Sequence, residues 1–352
     1  MNLRIRDYGV KIGSLETGKL NKITDVAGVK VGHTTLSEGS CQTGVTAVIP
    51  HERNLFKEKL IASTHVINGF GKTMGTIQIK ELGTLETPIV LTNTLNIGVA
   101  AEAVMEKTLE TNPDIGRSTG SINPVVGECN DMYLNDLRAM FVEKEHVHKA
   151  MTETKIDFEE GCVGAGTGML CYSLKGGVGS SSRTIPLEHG NYTLGVLVVT
   201  NFGYISDLRI DGKPVGEQLS RYVIPSGETK DRGSIMVIIA TDLPVSERQL
   251  NRIIKRSVTG LSRTGSVITT GSGEVAIGFS TANKIPHEPN GDLLSTSTIH
   301  DDEIDEAFRA VGEATEEAVL NALIMATPVK GRGGNERPTL SELIEKYNLS
   351  LN

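Results

Sequence analysis

Residues 234–241, Ser-Ile-Met-Val-Ile-Ile-Ala-Thr, constrain the fold more than any other stretch of the chain. From Ile235 to Ala240 every position is apolar, and Ile and Val dominate. A strand solvated on one face alternates apolar and polar residues; one that is apolar at both parities is covered on both faces. The run therefore predicts a core strand of a sheet that is covered on both sides. Just before it lies a polar, turn-rich segment, Pro-Ser-Gly-Glu-Thr-Lys-Asp-Arg at 225–232, joined to the strand through Gly233.

That junction has chemical meaning beyond the fold. A hydroxyl residue that opens a buried strand behind an exposed loop can attack the carbonyl before it. The resulting ester hydrolyses and frees an α-amine on Ser234. An α-amine has a pKa of about 7.7–8.0, so nucleophile and base can come from one residue near neutral pH. The plainer reading is that Gly233-Ser234 only turns the chain into the core.

Other strand patterns fall at 26–31, 45–49, 88–92, 194–200 and 274–280, with helical patterns at 99–109, 142–151 and 246–261. The last opens with a capping box, Ser246 and Gln249, after Pro244. Ile304, Ala307, Phe308, Val311, Ala318 and Ala322 mark a longer amphipathic helix near the end. Alternating sheet and helix predict an α/β fold, read as a single domain over 1–352 because no linker composition divides it.

With 38% hydrophobic and 22% charged residues the chain reads as soluble. A net charge of −8 without a basic cluster argues against nucleic acid. No apolar run reaches the length of a membrane span, and the N-terminus lacks the apolar core of a signal peptide. Cys41, Cys129, Cys162 and Cys171 lack CxxC spacing, which argues against zinc and suits a reducing cytoplasm.

Several motifs come close to known chemistry and fail. Gly13 to Lys19 has P-loop spacing, but Leu20 stands where a Ser or Thr would hold magnesium. Gly71-Lys72-Thr73 ends like a P-loop, with Val66 in place of the first Gly. Gly164–Gly168 and Gly176–Gly179 read as tight turns. Gly116-Arg-Ser118-Thr-Gly120 matches a nucleophile elbow, yet both flanks read as loop. His146 and His148 lie on a charged helix and are expected to face solvent, and His33 reads as a structural histidine. Without an obvious His base, a self-generated amine gains weight.

The chain resembles the L-aminopeptidase/D-esterase family, the DmpA and β-peptidyl aminopeptidase group. The blocks that carry the resemblance span nearly the whole length, in family order. They are Asn21–Thr35, Thr43–Pro50, Leu91–Leu95, Gly127–Asp136, Gly164–Gly168, Thr200–Gly203, Gly233–Met236 and Gly271–Glu274. The resemblance implies an αββα sandwich of the DmpA/ornithine acetyltransferase type. It also implies self-cleavage between Gly233 and Ser234 into an α-chain, 1–233, and a β-chain, 234–352. On matched positions Ser234 becomes the nucleophile and Asn201 the side-chain donor to the oxyanion. Ser272 and Glu274 become partners of the Ser234 amine, and Tyr133 an assistant to the oxyanion or leaving group. Glu128 is the candidate anion for the substrate's ammonium.

These expectations describe a self-cleaving serine aminopeptidase acting through an acyl-enzyme. Its substrates would be small peptides, amides or esters with a free amino group. It needs no metal and no organic cofactor, is cytoplasmic, and assembles as a homo-oligomer of αβ units. Two alternatives stay open: acyl transfer as in ornithine acetyltransferase, where a Thr nucleophile is expected, and an unprocessed relative without enzymatic activity.

Overall fold

The computed structural model describes residues 3–222 and 233–351. The candidate processing segment, 225–232, lies outside the described residues. Strands β1 (Lys30–Glu38), β2 (Cys41–Ile49), β3 (Glu58–Gly69), β4 (Thr84–Leu85), β5 (Ile89–Asn93), β6 (Val125–Cys129) and β7 (Thr154–Lys155) come first. They are followed by β8 (Leu170–Cys171), β9 (Leu174–Lys175), β10 (Val178–Leu187), β11 (Gly190–Asn201), β12 (Ser234–Thr241) and β13 (Gly273–Pro286). The α-helices are α1 (Thr76–Leu82), α2 (Ile97–Glu110), α3 (Lys144–Thr152), α4 (Val215–Leu219), α5 (Glu247–Ile254), α6 (Ser257–Arg263), α7 (Asp305–Ile324) and α8 (Leu340–Tyr347).

Two large sheets form, in the orders β6-β5-β2-β1-β7 and β10-β11-β12-β13-β3-β4, beside a small pair, β8-β9. The apolar run of β12 divides between two layers, as a strand covered on both faces must. Met236, Ile238 and Ala240 meet Val48, Leu91 and Cys129 in the space between the sheets. Ile235, Val237 and Ile239 pack outward with Leu250, Ile253 and Leu261, under the helices α5 to α7. The other sheet buries Val45, Ala47 and Val90 against Ala100, Val104 and Val147 of α2 and α3. The layering is helix, sheet, sheet, helix, the sandwich expected from the resemblance.

Helix α7 lies close on β10 because the strand carries Gly179, where a Cβ would stand 2.0 Å from Ala318 O. Its polar residues face a fully buried arginine. Arg183 pairs with Glu313 at 3.1 Å and with Glu317 at 2.7 Å, and Arg6 reaches Glu317 at 2.7 Å. Burial alone would raise the Glu317 pKa, but the hydrogen bond from Arg6 and the Arg183 charge hold it below the ordinary carboxylate range.

Three expectations shift. The strand placed at 26–31 starts at Lys30 and runs to Glu38, because 26–29 form the turn that leaves a 3-10 helix at Ile23–Asp25. The helix placed at 246–261 is two, α5 and α6, parted at Lys255 and Arg256. Its capping box is real, with Ser246 Oγ accepting from Gln249 N at 3.2 Å and Gln249 Oε1 from Ser246 N at 3.0 Å. His146 and His148 are half-buried rather than solvent-facing. His146 Nδ1 accepts from Glu143 N at 3.0 Å and so caps α3, while His148 lies 3.7 Å from Glu106. Among the described residues no helix is long and apolar enough to cross a membrane.

Candidate active site

Ser234 is the first residue of β12, held between β11 and β13. Its register partner on the antiparallel side is Asn201, the last residue of β11. On the parallel side it is Gly273, which separates Ser272 from Glu274. Three segments distant in sequence thus converge on one end of the sheet, where ladder registers fix their mutual positions.

The Ser234 side chain is buried, and its Oγ has no hydrogen-bond partner by distance and angle among the described residues. The alternation of β12 aims it between the sheets, on the same face as Met236. Cys129, at the end of β6, lies against it there. Burial pushes the Cys129 thiol pKa far up and Glu128 adds to this, while contact with the Ser234 hydroxyl works in the opposite direction. The thiol is therefore neutral at physiological pH, a small apolar neighbour rather than a competing nucleophile.

Asn201 is held in one orientation. Its Oδ1 accepts from the backbone N–H of Leu170 at 3.3 Å, so the amide NH2 is the end turned away from Leu170. A backbone N–H can only donate, so the hydrogen bond itself decides which amide atom faces Leu170. The Asn201 backbone presses on the residue before Ser234, since a Cβ on Gly233 would stand 2.0 Å from Asn201 O. Only glycine fits there. The Gly233 carbonyl accepts from Gly273 N at 3.1 Å.

Ser272 and Glu274 are buried and share one side of β13. The Ser272 hydroxyl contacts Glu274 Oε1 and lies 2.9 Å from Thr269 O. It has one proton, so it can donate to only one of them at a time. Asn68 Nδ2 and Phe70 N both donate to Ser272 O.

Glu128 is buried on β6, one residue from Cys129. It accepts from Lys72 N at 2.9 Å and from the Thr94 hydroxyl. The segment from Phe70 to Lys72 thus runs from Ser272 to Glu128 and ties the two together. Both segments with partial P-loop spacing direct backbone N–H groups at a carboxylate of this chain. Lys72 serves Glu128, while Ser14 N and Leu15 N serve Glu313 at 2.9 and 3.1 Å.

Tyr133 has other neighbours. It is half-buried, with Arg337 stacked 4.3 Å from its ring and its carbonyl accepting from Asn335 Nδ2 at 2.7 Å. Among the described residues no hydrogen bond joins its hydroxyl to Ser234. Ser118 lies in an exposed loop, as its flanks implied. His33 is structural, with Nδ1 2.9 Å from Thr46 Oγ1 and Nε2 3.1 Å from Glu159 O.

Sequence reasoning missed Cys129, Leu170 and Asp131. Cys129 and Asp131 stand in the same block as Glu128, but without metal-ligand spacing nothing marked them. Asp131 is buried and its pKa is raised to about 7, chiefly by burial, although hydrogen bonds from Thr43 and Asn135 act against this. Leu170 contributes only a backbone N–H, for which no side-chain motif exists.

The chain is similar to known proteins over nearly its whole length. The sequence model for Peptidase family S58 matches residues 21–337. The β-peptidyl aminopeptidase BapA of Sphingosinicella microcystinivorans is 36% identical over 94% of this chain and 88% of its own length. The crystal structure of the PH0078 protein from Pyrococcus horikoshii OT3 superposes with a TM-score of 0.93 at 47% identity, covering 98% of this chain and 99% of that one. The L-aminopeptidase D-Ala-esterase/amidase of Ochrobactrum anthropi superposes with a TM-score of 0.89 at 33% identity, covering 99% of each chain. That protein is described as a prototype of the serine aminopeptidases and as a variant of the Ntn hydrolase fold.

Proposed function

Since the chain belongs to peptidase family S58, we propose that Ser234 is the nucleophile of a self-processing enzyme. The class follows from membership: this is a serine aminopeptidase of the Ntn type, acting on peptide or amide substrates. The observation that supports Ser234 is its place between Asn201 and Gly273, with the Gly233 carbonyl already on a backbone N–H.

In processing, Ser234 Oγ bonds to the Gly233 carbonyl carbon and its proton passes to the departing Ser234 nitrogen as the peptide C–N bond breaks. Gly273 N–H stabilises the charge on the carbonyl oxygen. Water then hydrolyses the ester, leaving the Gly233 carboxylate and the Ser234 α-amine. In turnover that amine takes the hydroxyl proton while Oγ attacks the substrate carbonyl. The NH2 of Asn201 receives the oxyanion, a contribution of about 2.7–4 kcal/mol per donor in other enzymes. Ser272 and Glu274 hold the amine beside its own hydroxyl, Tyr133 assists the oxyanion or the leaving group, and Glu128 binds the substrate's free ammonium.

Cleavage divides the chain into 233 and 119 residues, about 25 and 13 kDa of the 37.7 kDa total. Intact mass and N-terminal sequencing test this. Wild type should yield both fragments and Ser234→Ala one full-length chain. An uncut wild-type protein that hydrolyses substrate would exclude the α-amine mechanism. The αβ unit is further proposed to assemble as a homo-oligomer, and light scattering that reports a single unit of about 38 kDa would remove that part.

A further inference from the structure

We propose that Tyr172 is a positioning residue for the oxyanion donor, holding Asn201 in the orientation that turns its NH2 toward Ser234. This inference rests on the reading of Asn201 as that donor.

The hydrogen bond that orients Asn201 comes from a small hairpin. β8 and β9 pair as Leu170↔Lys175 and Cys171↔Leu174, leaving a loop of two residues, Tyr172 and Ser173. Both have positive φ, 50° and 58°. Two-residue loops with both positions left-handed favour Asn-Gly, Asp-Gly or Gly-Gly, because a side chain crowds the backbone there. Neither loop residue here is Gly, Asn or Asp. Strain of this kind persists where the surroundings enforce it, and it gathers at working sites.

The surroundings of Tyr172 show what the side chain contributes. It is fully buried, and its N–H donates to Phe202 O at 2.7 Å, one residue past Asn201. Its ring meets Phe202 edge-on at 5.2 Å. The ring also lies so close over Gly203 that a Cβ there would stand 2.7 Å from two ring carbons. The hydroxyl is 2.8 Å from Thr264 Oγ1. Thr264 gives its own proton to Leu261 O at 2.8 Å, so Tyr172 is the donor in the shared bond. Thr264 caps the end of α6 and begins the loop that leads to Ser272. Glycine at 172 would suit the backbone but could make neither the ring contact nor this bond. Tyr172 therefore fixes the residues after Asn201 from one side and, through its hairpin, the Asn201 side chain from the other. It also ties both to the loop that carries Ser272.

The test uses Tyr172→Phe, which keeps the ring, and Thr264→Val, which removes the acceptor. Each is assayed per cleaved molecule on a free-amine p-nitroanilide. Each should lower kcat about tenfold with KM within about twofold, as a small misplacement of a donor does. An aminoacyl aldehyde, whose carbonyl adds the Ser234 O–H to give a tetrahedral hemiacetal, should lose affinity by the same factor as kcat/KM. A non-reactive alcohol analogue should bind as before. The double variant should be no worse than either single one, and Tyr172→Phe should have no effect in an Asn201→Ala background. Tyr172→Phe with kcat within twofold of wild type, whether or not its Tm falls, overturns the proposal. Asn201→Ala separates the two readings. A loss of about 10²–10³ in kcat keeps Asn201 as the donor, whereas unchanged turnover removes the donor role itself and the positioning role with it.

Discussion

Asn201 and Ser234 are direct partners across the antiparallel pair of β11 and β12, each at the terminal residue of its strand. The ladder sets their spacing, and Leu170 N–H sets the rotamer of the asparagine. In the proposed roles of oxyanion donor and nucleophile, Asn201 and Ser234 would be held by backbone geometry before any substrate arrives, the condition for low-cost oxyanion stabilisation.

Glu128 accepts two hydrogen bonds that fix its carboxylate in place, and its proposed role is to receive the substrate ammonium as a third, charged donor. Glu128→Gln should lower kcat/KM for free-amine substrates about 10- to 100-fold, the range of a charge-assisted hydrogen bond. N-acetylating the substrate should cost wild type a similar factor. Self-cleavage of Glu128→Gln should proceed, since processing involves no substrate ammonium. Equal wild-type rates on free and N-acetylated p-nitroanilides would favour a general amidase or esterase instead.

His33 gives the protein an acid-sensitive element. Burial lowers its pKa from 6.5 to about 4, outweighing the bond to Glu159 O. The unfolded chain therefore binds the proton more readily. The stabilising contribution is complete above about pH 6.5 and is lost as pH falls through about 4. Between pH 7 and pH 5 this amounts to about 2 kcal/mol. Urea denaturation of wild type should show the loss, and His33→Gln should show a loss smaller by about that amount. Parallel pH dependence in the two proteins would assign the acid sensitivity elsewhere.

Removing Arg183 leaves Glu313 and Glu317 buried without their shared cation. Breaking such a cluster from one side typically costs about 3–5 kcal/mol, because the remaining charges stay desolvated. Arg183→Met should lower the Tm accordingly. The double change Arg183→Met with Glu313→Gln should recover part of the loss by removing one uncompensated charge. Equal Tm values for wild type and Arg183→Met would show that Arg6 alone neutralises the cluster.

Local chemistry alone made some of this protein legible in its sequence. The both-parity apolar run of 234–241 required a strand covered on each face, and Ser246 with Gln249 specified a helix start. Ser234 stood out as a hydroxyl presented by Gly233 at the mouth of that run. Asn201, Ser272, Glu274, Tyr133 and Glu128 were different. Taken singly, Asn-Phe-Gly and Gly-Ser-Gly-Glu read as turns, and only resemblance gave them roles. What Asn201 can do depends on strand register, which pairs it and Gly273 with Ser234. A register is a contact between residues far apart in the chain, so no local pattern encodes it. The Leu170 N–H on Asn201, the Cys129 thiol against Ser234 and the Lys72 N–H on Glu128 were likewise decided only by tertiary packing. Each depends on which groups burial brings face to face.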